Sequence, residues 1–324
     1  MADLQTIKAP IQTEMDKFQP YFRNFLKSKT RLLDLLLFYL IKQKGKQIRP
    51  MLVFLTAKLY GNVNESSYHA ATLIELMHTA SLVHDDVVDE SDKRRGFWSI
   101  NAIWKNKVAV LVGDYLLARG LLLAVNKKEY GQLEIVSRAV EEMSEGELLQ
   151  IEKARHLNIT EETYYEVIKK KTAALMVACT TAGASSVNAS AEDIERMRKL
   201  GEYIGIAFQI RDDLFDYEIN GSFGKPAGND LKERKITLPL IYALQNCKSA
   251  ERKQMIKLLR LKTKSDEVIN QLMDFVRNYG GLEYAKKIMA DFVNKSKAVL
   301  YETPDNEARQ SLLDLIDYTI SRKK

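Results

Sequence analysis

Apolar residues recur along this chain three or four positions apart, which is the spacing of amphipathic helices. The pattern continues over several turns at residues 72–88, 108–125, 133–152 and 194–217. No proline lies between Pro50 and Pro226, and proline is the residue that helix interiors tolerate least. Strand signals are weak, because the one Asn-Gly pair, Asn220-Gly221, does not join two alternating apolar runs. The pattern predicts an all-α protein with at least about ten helices.

The domain organisation is predicted to be simple. The chain of 324 residues has no linker rich in proline, glycine or serine and no abrupt change of composition, which predicts a single domain over residues 1–324. Hydrophobic residues make up 46% and charged residues 28%, which excludes a disordered or membrane-embedded class. The formal net charge of +6 suits phosphorylated small molecules, nucleic acid or an anionic membrane surface, so the placement of the cations must decide.

The cysteines and the apolar runs of the sequence indicate the cellular compartment and the extent of membrane contact. Cys179 and Cys247 fit neither a metal-ligand spacing nor a disulfide framework, which predicts a reducing, cytoplasmic location. The segment Met1–Pro10 is polar and does not resemble a secretory signal. The longest apolar run, Leu35–Ile41, is far shorter than the roughly 20 residues of a membrane-spanning helix. We therefore expect at most peripheral contact with a membrane.

Two acidic clusters share one spacing, with aspartates at i, i+1 and i+4 after an apolar stretch. The clusters are Asp85, Asp86 and Asp89, and Asp212, Asp213 and Asp216. At about 100° per residue, the three side chains of a cluster occupy an arc of roughly 100° on one helix face, where their charges repel. Oxygen ligands without cysteine favour a hard cation, so the clusters predict a site for Mg²⁺ rather than zinc.

A single cluster of this kind is often only a solvated helix face. An EF-hand is excluded at the first cluster, because a loop that begins at Asp89 would have Arg94 where glycine is required. Two clusters with the same spacing, each followed by basic residues, are much harder to explain as solvated surface. We therefore predict that both clusters share one metal-binding cavity.

Several cations lie where they could bind the phosphates of a metal-bound substrate. They are Arg94 and Arg95 after the first cluster, Lys46 and Arg49 at a helix start, and Lys225 and Lys235 behind the second cluster. Arginine binds phosphate in a bidentate manner and lysine binds it as a point charge. Taken singly, each of these residues is typical of solvated surface, as is the run Lys169–Lys171. His78, on an apolar helix, is typical of a hydrogen-bonded core histidine.

In their order, these motifs resemble those of the trans-isoprenyl diphosphate synthases, and of the long-chain type in particular. The matching segments are Gly-Lys-x-x-Arg-Pro from Gly45, His-Thr-Ala-Ser-Leu-Val-His-Asp-Asp-x-x-Asp from His78, Arg-Arg-Gly from Arg94, Lys-Thr-Ala from Lys171, Phe-Gln-x-x-Asp-Asp-x-x-Asp from Phe208 and Gly-Lys-x-x-Gly-x-Asp-Leu from Gly224. The resemblance implies a bundle of long helices around a deep central cavity, usually as a homodimer.

The resemblance also implies roles for individual residues. The six aspartates would hold the metal ions that grip an allylic diphosphate, and with Arg94 and Lys171 they would form the catalytic set. The residues expected around the allylic diphosphate are Arg94, Lys171, Thr172, Gln209, Lys225 and Lys235. Those expected around isopentenyl diphosphate are Lys46, Arg49, His78 and Arg95. The chain departs from the family at Lys44 and Arg234, where glycine is frequent, and at Trp98, where proline is common.

The implied reaction is the Mg²⁺-dependent condensation of isopentenyl diphosphate with an allylic prenyl diphosphate. In the family, aromatic residues four or five positions before the first aspartate close the cavity of short-chain enzymes. Those positions are Ser81 and Ala80 here, so we predict a long all-trans product, such as the side chain of a respiratory quinone. The alternative is a short-chain farnesyl or geranylgeranyl diphosphate synthase, in which Ala80 and Ser81 only permit close packing and Met77 or Ile74 forms the floor.

Three other functions are disfavoured. A class I terpene cyclase shares the first acidic motif, but its second metal motif normally mixes Asn, Ser or Thr with Glu. A non-catalytic regulatory subunit of a synthase usually lacks aspartates that are all present here. A nucleic-acid binder would explain the sequence pI of about 9.0, but no nucleic-acid-binding motif is recognisable. The expected partners are therefore the two prenyl diphosphates and a second copy of the chain.

Overall fold

The chain folds as a bundle of α-helices, which confirms the predicted fold class. A computed structural model describes residues 3–42, 45–94, 96–156, 160–218 and 228–321. The helices in these ranges are α1 (Leu4–Lys8), α2 (Gln12–Leu26), α3 (Arg31–Lys42), α4 (Ile48–Tyr60), α5 (Glu65–Val88), α6 (Ile100–Lys127), α7 (Tyr130–His156), α8 (Glu161–Ile168), α9 (Ala174–Ser186), α10 (Ala191–Phe215), α11 (Asn229–Lys232), α12 (Leu238–Asn246), α13 (Ser249–Leu259), α14 (Asp266–Asn278), α15 (Gly281–Tyr301) and α16 (Glu307–Ser321).

The four stretches predicted as helices correspond to α5, α6, α7 and α10. A 3-10 turn (Ala9–Ile11) precedes α2, and a π-helical turn (Lys169–Ala173) joins α8 to α9. Extended pairing within the described ranges is confined to β1 (Lys93–Arg94) and β2 (Phe97–Trp98), an antiparallel hairpin between α5 and α6.

The helices that end in the acidic clusters, α5 and α10, are held on several sides. Helix α5 packs along α4, α6 and α9, and α10 packs along α9 and α15. One cluster of buried apolar side chains joins α4, α5, α9, α10 and α16, and a second joins α10 to α12 and α14. Burial of this apolar surface fixes the ends of α5 and α10 relative to each other.

Side-chain caps set where these two helices begin. The Asn64 side chain accepts the backbone N–H of Ser67 at 3.1 Å, and the Ser67 hydroxyl accepts the Asn64 N–H in return at 3.3 Å. Ser190 accepts the backbone N–H of Asp193 in the same way at the start of α10. Each cap satisfies a backbone donor that the helix itself leaves unpaired, and it therefore fixes the helix register.

Helix α6 packs closely on α5. Within the described ranges, it is the one helix whose length and hydropathy would allow it to cross a membrane. One side of α6 is buried against α5, however, with Val112, Leu116 and Gly120 among the buried residues. A Cβ at Gly120 would lie 2.4 Å from the methyl carbon of Met77, so the Met77 side chain would have to shift to admit a larger residue there. This is the packing of a core helix in a bundle.

Candidate active site

Both acidic clusters lie at the C-terminal ends of their helices. Helix α5 ends at Val88 with Asp89 as its C-cap, and α10 ends at Phe215 with Asp216 as its C-cap. The helix dipole is negative at this end, so carboxylates there are destabilised by the dipole as well as by one another. The two clusters therefore require positive charge from elsewhere.

In the first cluster, Asp86 is bound by Arg94. Asp86 is buried, with 9% of its side chain exposed, and its Oδ1 accepts a hydrogen bond of 2.7 Å from Nε of Arg94 on β1. The Nδ2 of Asn101 donates to the backbone carbonyl of Asp86 at 3.1 Å and thus ties α6 to the end of α5. Burial raises the pKa of the Asp86 carboxyl above its ordinary value, although Arg94 opposes the shift. Arg94 thus lies beside the first cluster, and its predicted contact with a diphosphate stays a prediction.

Asp85 lies beside Lys171. The Asp85 carboxylate is accessible to solvent, but the surrounding protein and the charge of Glu147 raise its pKa, while Arg94 and Lys171 act in the opposite direction. The Lys171 ammonium donates to Oε1 of Gln150 at 2.7 Å and pairs with Oε2 of Glu147 at 2.5 Å. Lys171 is therefore held by α7 within electrostatic reach of the first cluster.

The π-helical turn that carries Lys171 and Thr172 is clamped between two glycines. A Cβ at Gly146 of α7 would lie 2.6 Å from the backbone nitrogen of Lys171, and a Cβ at Gly205 of α10 would lie 2.5 Å from Cα of Ala173. Side chains at either position would push the turn away. A π turn is a rare departure from the α-helix and is frequent at functional sites.

In the second cluster, Asp213 is the centre of a buried network. Its side chain is 4% exposed, and it accepts hydrogen bonds from the Tyr164 hydroxyl at 2.7 Å and from Nε2 of Gln209 at 2.8 Å. The Thr172 hydroxyl in turn donates to Oε1 of Gln209 at 2.7 Å. Burial raises the pKa of Asp213 to about 7, although both hydrogen bonds lower it. The network joins the π turn to the second acidic cluster.

Asp216 holds the segment that carries Lys235. Its two carboxylate oxygens accept the backbone N–H groups of Asn229 and Asp230 at 2.9 and 3.0 Å. Lys235 pairs with Glu233 at 2.6 Å. Burial alone would lower the pKa of Lys235, but the charges of Glu233, Asp230 and Asp89 raise it overall. The charge of Asp89, from the first cluster, therefore acts on a lysine of the segment that Asp216 holds.

Arg234 adopts the left-handed backbone conformation that explains why glycine is frequent at this position. Its φ is +60°, which a residue with a Cβ rarely adopts. The Arg234 guanidinium donates to the backbone carbonyl of Arg260 at 3.1 Å, and this contact helps to hold the residue in place. The local backbone therefore accommodates this departure from the family pattern.

A large cavity of about 1220 Å³ opens beside the first cluster. The predicted site residues that line it are Lys46, Arg49, His78, Asp86 and Arg94. Its wall also contains apolar side chains of α2 and α3 and the carboxylate of Glu75. This combination of an apolar wall and a few convergent charged groups is typical of a small-molecule site. Arg95 and Lys225 lie outside the described residues.

The coordination shell of a bound metal would have to be completed by groups other than protein side chains. Within the part of the chain that the structure describes, no three histidine, cysteine or carboxylate side chains converge closely enough to hold a metal ion by themselves. Magnesium is usually bound by one or two carboxylates together with water and substrate phosphate. Asp85 and Asp89 are exposed to solvent at the negative end of α5, and Asp212 is half-buried at the end of α10. The donor set fits a hard divalent cation on these grounds.

The residues predicted to set product length do not line this cavity. The part of its wall contributed by α5 consists of Glu75, His78, Thr79, Leu82, Val83 and Asp86. Ala80 is fully buried in the apolar cluster shared with α6, and Met77 and Ile74 belong to the largest core cluster. Ser81 is half-buried, and its hydroxyl donates to the His78 carbonyl. Their role in product length stays a prediction.

Four contacts of the site were not predicted from the sequence. They come from Asn101, Glu147, Gln150 and Tyr164. A weak signal existed for Glu147 and Gln150, because two polar side chains three positions apart on an amphipathic helix share one face. Tyr164 and Asn101 gave no signal, because hydrogen bonds to buried carboxyl and carbonyl groups depend on the packing of distant helices.

The chain is similar to known proteins over almost its whole length. It is 35% identical over 300 residues to an octaprenyl diphosphate synthase of Escherichia coli, which covers 92% of this chain and 93% of the relative. A crystal structure of polyprenyl synthase from Caulobacter crescentus, complexed with calcium and isoprenyl diphosphate, superposes with a TM-score of 0.90 at 32% identity and covers 99% of this chain and 98% of the other. A geranylgeranyl pyrophosphate synthase structure from Bacteroides thetaiotaomicron has a TM-score of 0.84 at 40% identity, with 98% of both chains covered.

The family assignment rests on a match over most of the chain. Residues 30–276 match the sequence profile of polyprenyl synthetases, and this range contains both acidic clusters and every predicted substrate-binding residue. The chain therefore belongs to the polyprenyl synthetase family.

Proposed function

We propose that this protein condenses isopentenyl diphosphate with an allylic prenyl diphosphate and releases pyrophosphate. One observation carries the proposal: Asp86 and Arg94 of the first acidic motif line the same cavity as Lys46, Arg49 and His78. These two groups of residues match the family positions for two different diphosphates. A cavity that joins them can hold two substrates side by side, which a condensation requires.

The two substrates would occupy different sides of the cavity. Lys46, Arg49 and His78 would bind isopentenyl diphosphate, together with Arg95. The allylic diphosphate would bind at the cations around the acidic clusters, which are Arg94, Lys171 and Lys235. The other residues of this site would be Thr172, Gln209 and Lys225. Lys171 and Lys235 now pair with Glu147 and Glu233, so a diphosphate would compete with these carboxylates for the two ammonium groups.

We propose Mg²⁺ as the metal. Asp85, Asp89 and Asp212 would hold it, because these carboxylates are exposed or half-buried at the negative C-terminal ends of α5 and α10. The complex of the Caulobacter crescentus relative with calcium and isoprenyl diphosphate supports a divalent cation. When bound, Mg²⁺ would neutralise the leaving diphosphate and so make it a better leaving group.

The residues of the chain would act by orientation and electrostatics. The carbon–oxygen bond of the allylic diphosphate breaks, and the double bond of isopentenyl diphosphate supplies the electron pair of the new carbon–carbon bond. A proton then leaves the condensed product, and the departing pyrophosphate is its nearest base. Arg94, Lys171 and Lys235 stabilise the charge that develops on the leaving oxygens. No side-chain nucleophile is required.

We propose a long-chain product. The octaprenyl synthase of Escherichia coli supports this assignment, as do the small side chains of Ala80 and Ser81. The geranylgeranyl pyrophosphate synthase of Bacteroides thetaiotaomicron, at 40% identity, is the reason to keep a short-chain product as the alternative. Incubation with labelled isopentenyl diphosphate and farnesyl diphosphate, followed by sizing of the products, separates the two. Products no longer than geranylgeranyl diphosphate would refute the long-chain assignment.

The assay also tests the reaction itself and its metal. We expect turnover with Mg²⁺ and none with EDTA. Asp85→Asn should reduce turnover at least about a hundredfold at fixed Mg²⁺, because it removes one of the carboxylates proposed to hold the metal. Asp266→Asn, at an exposed aspartate of α14, serves as the control. Undiminished turnover in EDTA would contradict the metal, and no condensation with any allylic primer would contradict the function.

We further propose that the enzyme is a cytoplasmic homodimer. Helix α6 presents an outward apolar stripe that includes Val110, Leu111, Leu121, Leu122 and Val125. Exposed stripes of this kind mark subunit interfaces. Both cysteines are free thiols, which suits a reducing compartment. Light scattering should give twice the chain mass for the wild type and a single chain mass for Leu121→Glu.

A further inference from the structure

Helix α3 exposes an apolar face beside the cavity. Leu32 is 50% exposed and Leu35 is 54% exposed, and Phe38 continues the same face one turn further on. Residues three positions apart share one side of a helix. The opposite side of α3 is anchored, because Leu36 and Leu37 are buried in the cluster shared with α5 and α6. The outward face is therefore held rigidly in contact with solvent.

The β1–β2 hairpin adds two exposed aromatic side chains, Phe97 and Trp98. The Tyr39 hydroxyl of α3 donates to the Trp98 carbonyl at 2.7 Å, and the Tyr39 ring meets Trp104 of α6 edge to face at 5.5 Å. These contacts fix the hairpin next to α3. We call the exposed set Leu32, Leu35, Phe38, Phe97 and Trp98 the α3 rim.

Cations surround the α3 rim. Between residues 27 and 42 the exposed cations are Lys27, Lys29, Arg31 and Lys42, and the single acid is Asp34, whose carboxylate accepts the backbone N–H of Ser28. The Lys42 ammonium lies 4.7 Å from the Phe38 ring centre, and the Lys93 ammonium lies 4.6 Å from that of Trp98. An apolar face bordered by long cationic side chains is the pattern of a helix that lies in a membrane interface.

The α3 rim is continuous with the cavity. Phe38 belongs to the rim and also lines the cavity, where Leu37, Leu40 and Ile41 lie beside it. The same cavity reaches Asp86 and Arg94 at its other end. The Phe38 side chain therefore borders both the cavity and the exposed face of α3.

We propose that the α3 rim docks on the surface of an anionic lipid bilayer. Its leucines and aromatic rings lie at the acyl-chain boundary, and its cations contact the headgroups. Charge complementarity favours an anionic bilayer over a second copy of the chain as the partner of the α3 rim. A second copy would bring the same four cations opposite each other, whereas anionic lipid neutralises them. The purpose of this docking rests on the proposed function. A long prenyl diphosphate that is released from the cavity partitions from water into a bilayer.

Vesicle sedimentation with the full chain tests the proposal. We expect binding to vesicles of mixed phosphatidylglycerol and phosphatidylcholine, and much weaker binding to pure phosphatidylcholine. The double variant Leu32→Ser/Leu35→Ser should bind the anionic vesicles about tenfold more weakly, because it loses much of the apolar area that enters the interface. The control is Leu148→Ser/Ile151→Ser, which alters two exposed apolar residues of α7 and should bind like the wild type.

A second arm reverses the charge. Lys29→Glu/Arg31→Glu should lose binding to anionic vesicles in the same way, and added salt should weaken the wild type. Wild-type protein that does not sediment with anionic vesicles would overturn the proposal. A Leu32→Ser/Leu35→Ser variant that sediments like the wild type would also overturn it. The same holds if this variant changes only the oligomeric state, because the α3 rim would then be a contact between copies of the chain.

Condensation is measured separately, in detergent. The leucine variant should keep wild-type turnover there, because Leu32 and Leu35 do not line the cavity. Vesicle binding by a chain that shows no condensation would remove the proposed function and leave the docking surface in place. Condensation without vesicle binding would support the proposed function and remove the docking surface.

Discussion

The Tyr164 hydroxyl donates a hydrogen bond of 2.7 Å to Oδ2 of Asp213, and both side chains are almost completely buried. Tyr164 lies on α8 and Asp213 on α10, so the bond connects the segment leading to Lys171 with the second acidic cluster. Burial penalises the Asp213 carboxylate, and the hydroxyl lowers its pKa and so offsets part of that penalty. Tyr164 is therefore a positioning residue of the site, although it lines no part of the cavity beside the first cluster.

Replacing Tyr164 with phenylalanine should alter both stability and pH dependence. The unpaired Asp213 oxygen costs about 1–3 kcal/mol of unfolding free energy. Because the hydrogen bond lowers the pKa of Asp213, its loss raises that pKa, and the acid limb of the rate profile should move to higher pH. Tyr165→Phe is the matched control, since the neighbouring hydroxyl contacts Glu161 outside the site. An acid limb that stays in place in Tyr164→Phe would show a purely structural role.

Asp213 should make the metal-free protein less stable as the pH rises. Its pKa is raised from 3.8 to about 7, so between these values the folded chain keeps a proton that the unfolded chain has lost. The contribution of this group to stability is therefore lost progressively as pH increases through this window. In EDTA, the Tm of Asp213→Asn should rise relative to wild type between about pH 5 and about pH 7.5. Asp266→Asn, at an exposed position, should show a constant difference; a constant difference for Asp213→Asn as well would contradict the raised pKa.

Gly146→Ala should impair the active site, although Gly146 lies on α7 and only packs against the π turn that carries Lys171. The added Cβ would lie 2.6 Å from the backbone nitrogen of Lys171 and would displace the π turn. We expect kcat/KM for the allylic substrate to fall about tenfold or more, because Lys171 and Thr172 move together. Gly131→Ala in the same helix meets nothing within 4 Å and should keep full activity, with stability unchanged or higher by up to about 1 kcal/mol. Equal kinetics for the two variants would show that the turn can absorb the shift.

Ala80→Phe should shorten the prenyl product if the growing chain runs along the seam between α5 and α6. Ala80 is fully buried there, so the added ring also costs about 1–3 kcal/mol through overpacking. Ser81→Phe, at a half-buried position, should shorten the product with a smaller loss of stability. Product sizing and thermal denaturation are measured together. An unchanged product distribution in both variants would place the tunnel elsewhere.

The sequence was sufficient wherever function depends on local spacing. Aspartates at i, i+1 and i+4 share a helix face whatever surrounds them, so both clusters were identifiable. Arg94 was assigned from its place in the Arg-Arg-Gly motif that the family shares. Long helices free of proline predicted the bundle for the same reason. The predicted helices at residues 72–88 and 194–217 also end at the two clusters, and α5 and α10 confirm that both clusters lie at helix C-termini.

By itself, then, the sequence determined the fold class, the family, the two acidic clusters and the types of cation around them, because helical periodicity and short motifs are properties of neighbouring residues. Only the tertiary structure decided which of these groups meet. Tyr164 and Gln209 bind Asp213, Glu147 and Gln150 hold Lys171, and α3 exposes leucines beside the cavity. Except for the Gln209–Asp213 bond within α10, each of these arrangements depends on how separate helices pack, which sets the apolar faces that meet and the polar groups that burial leaves to be paired.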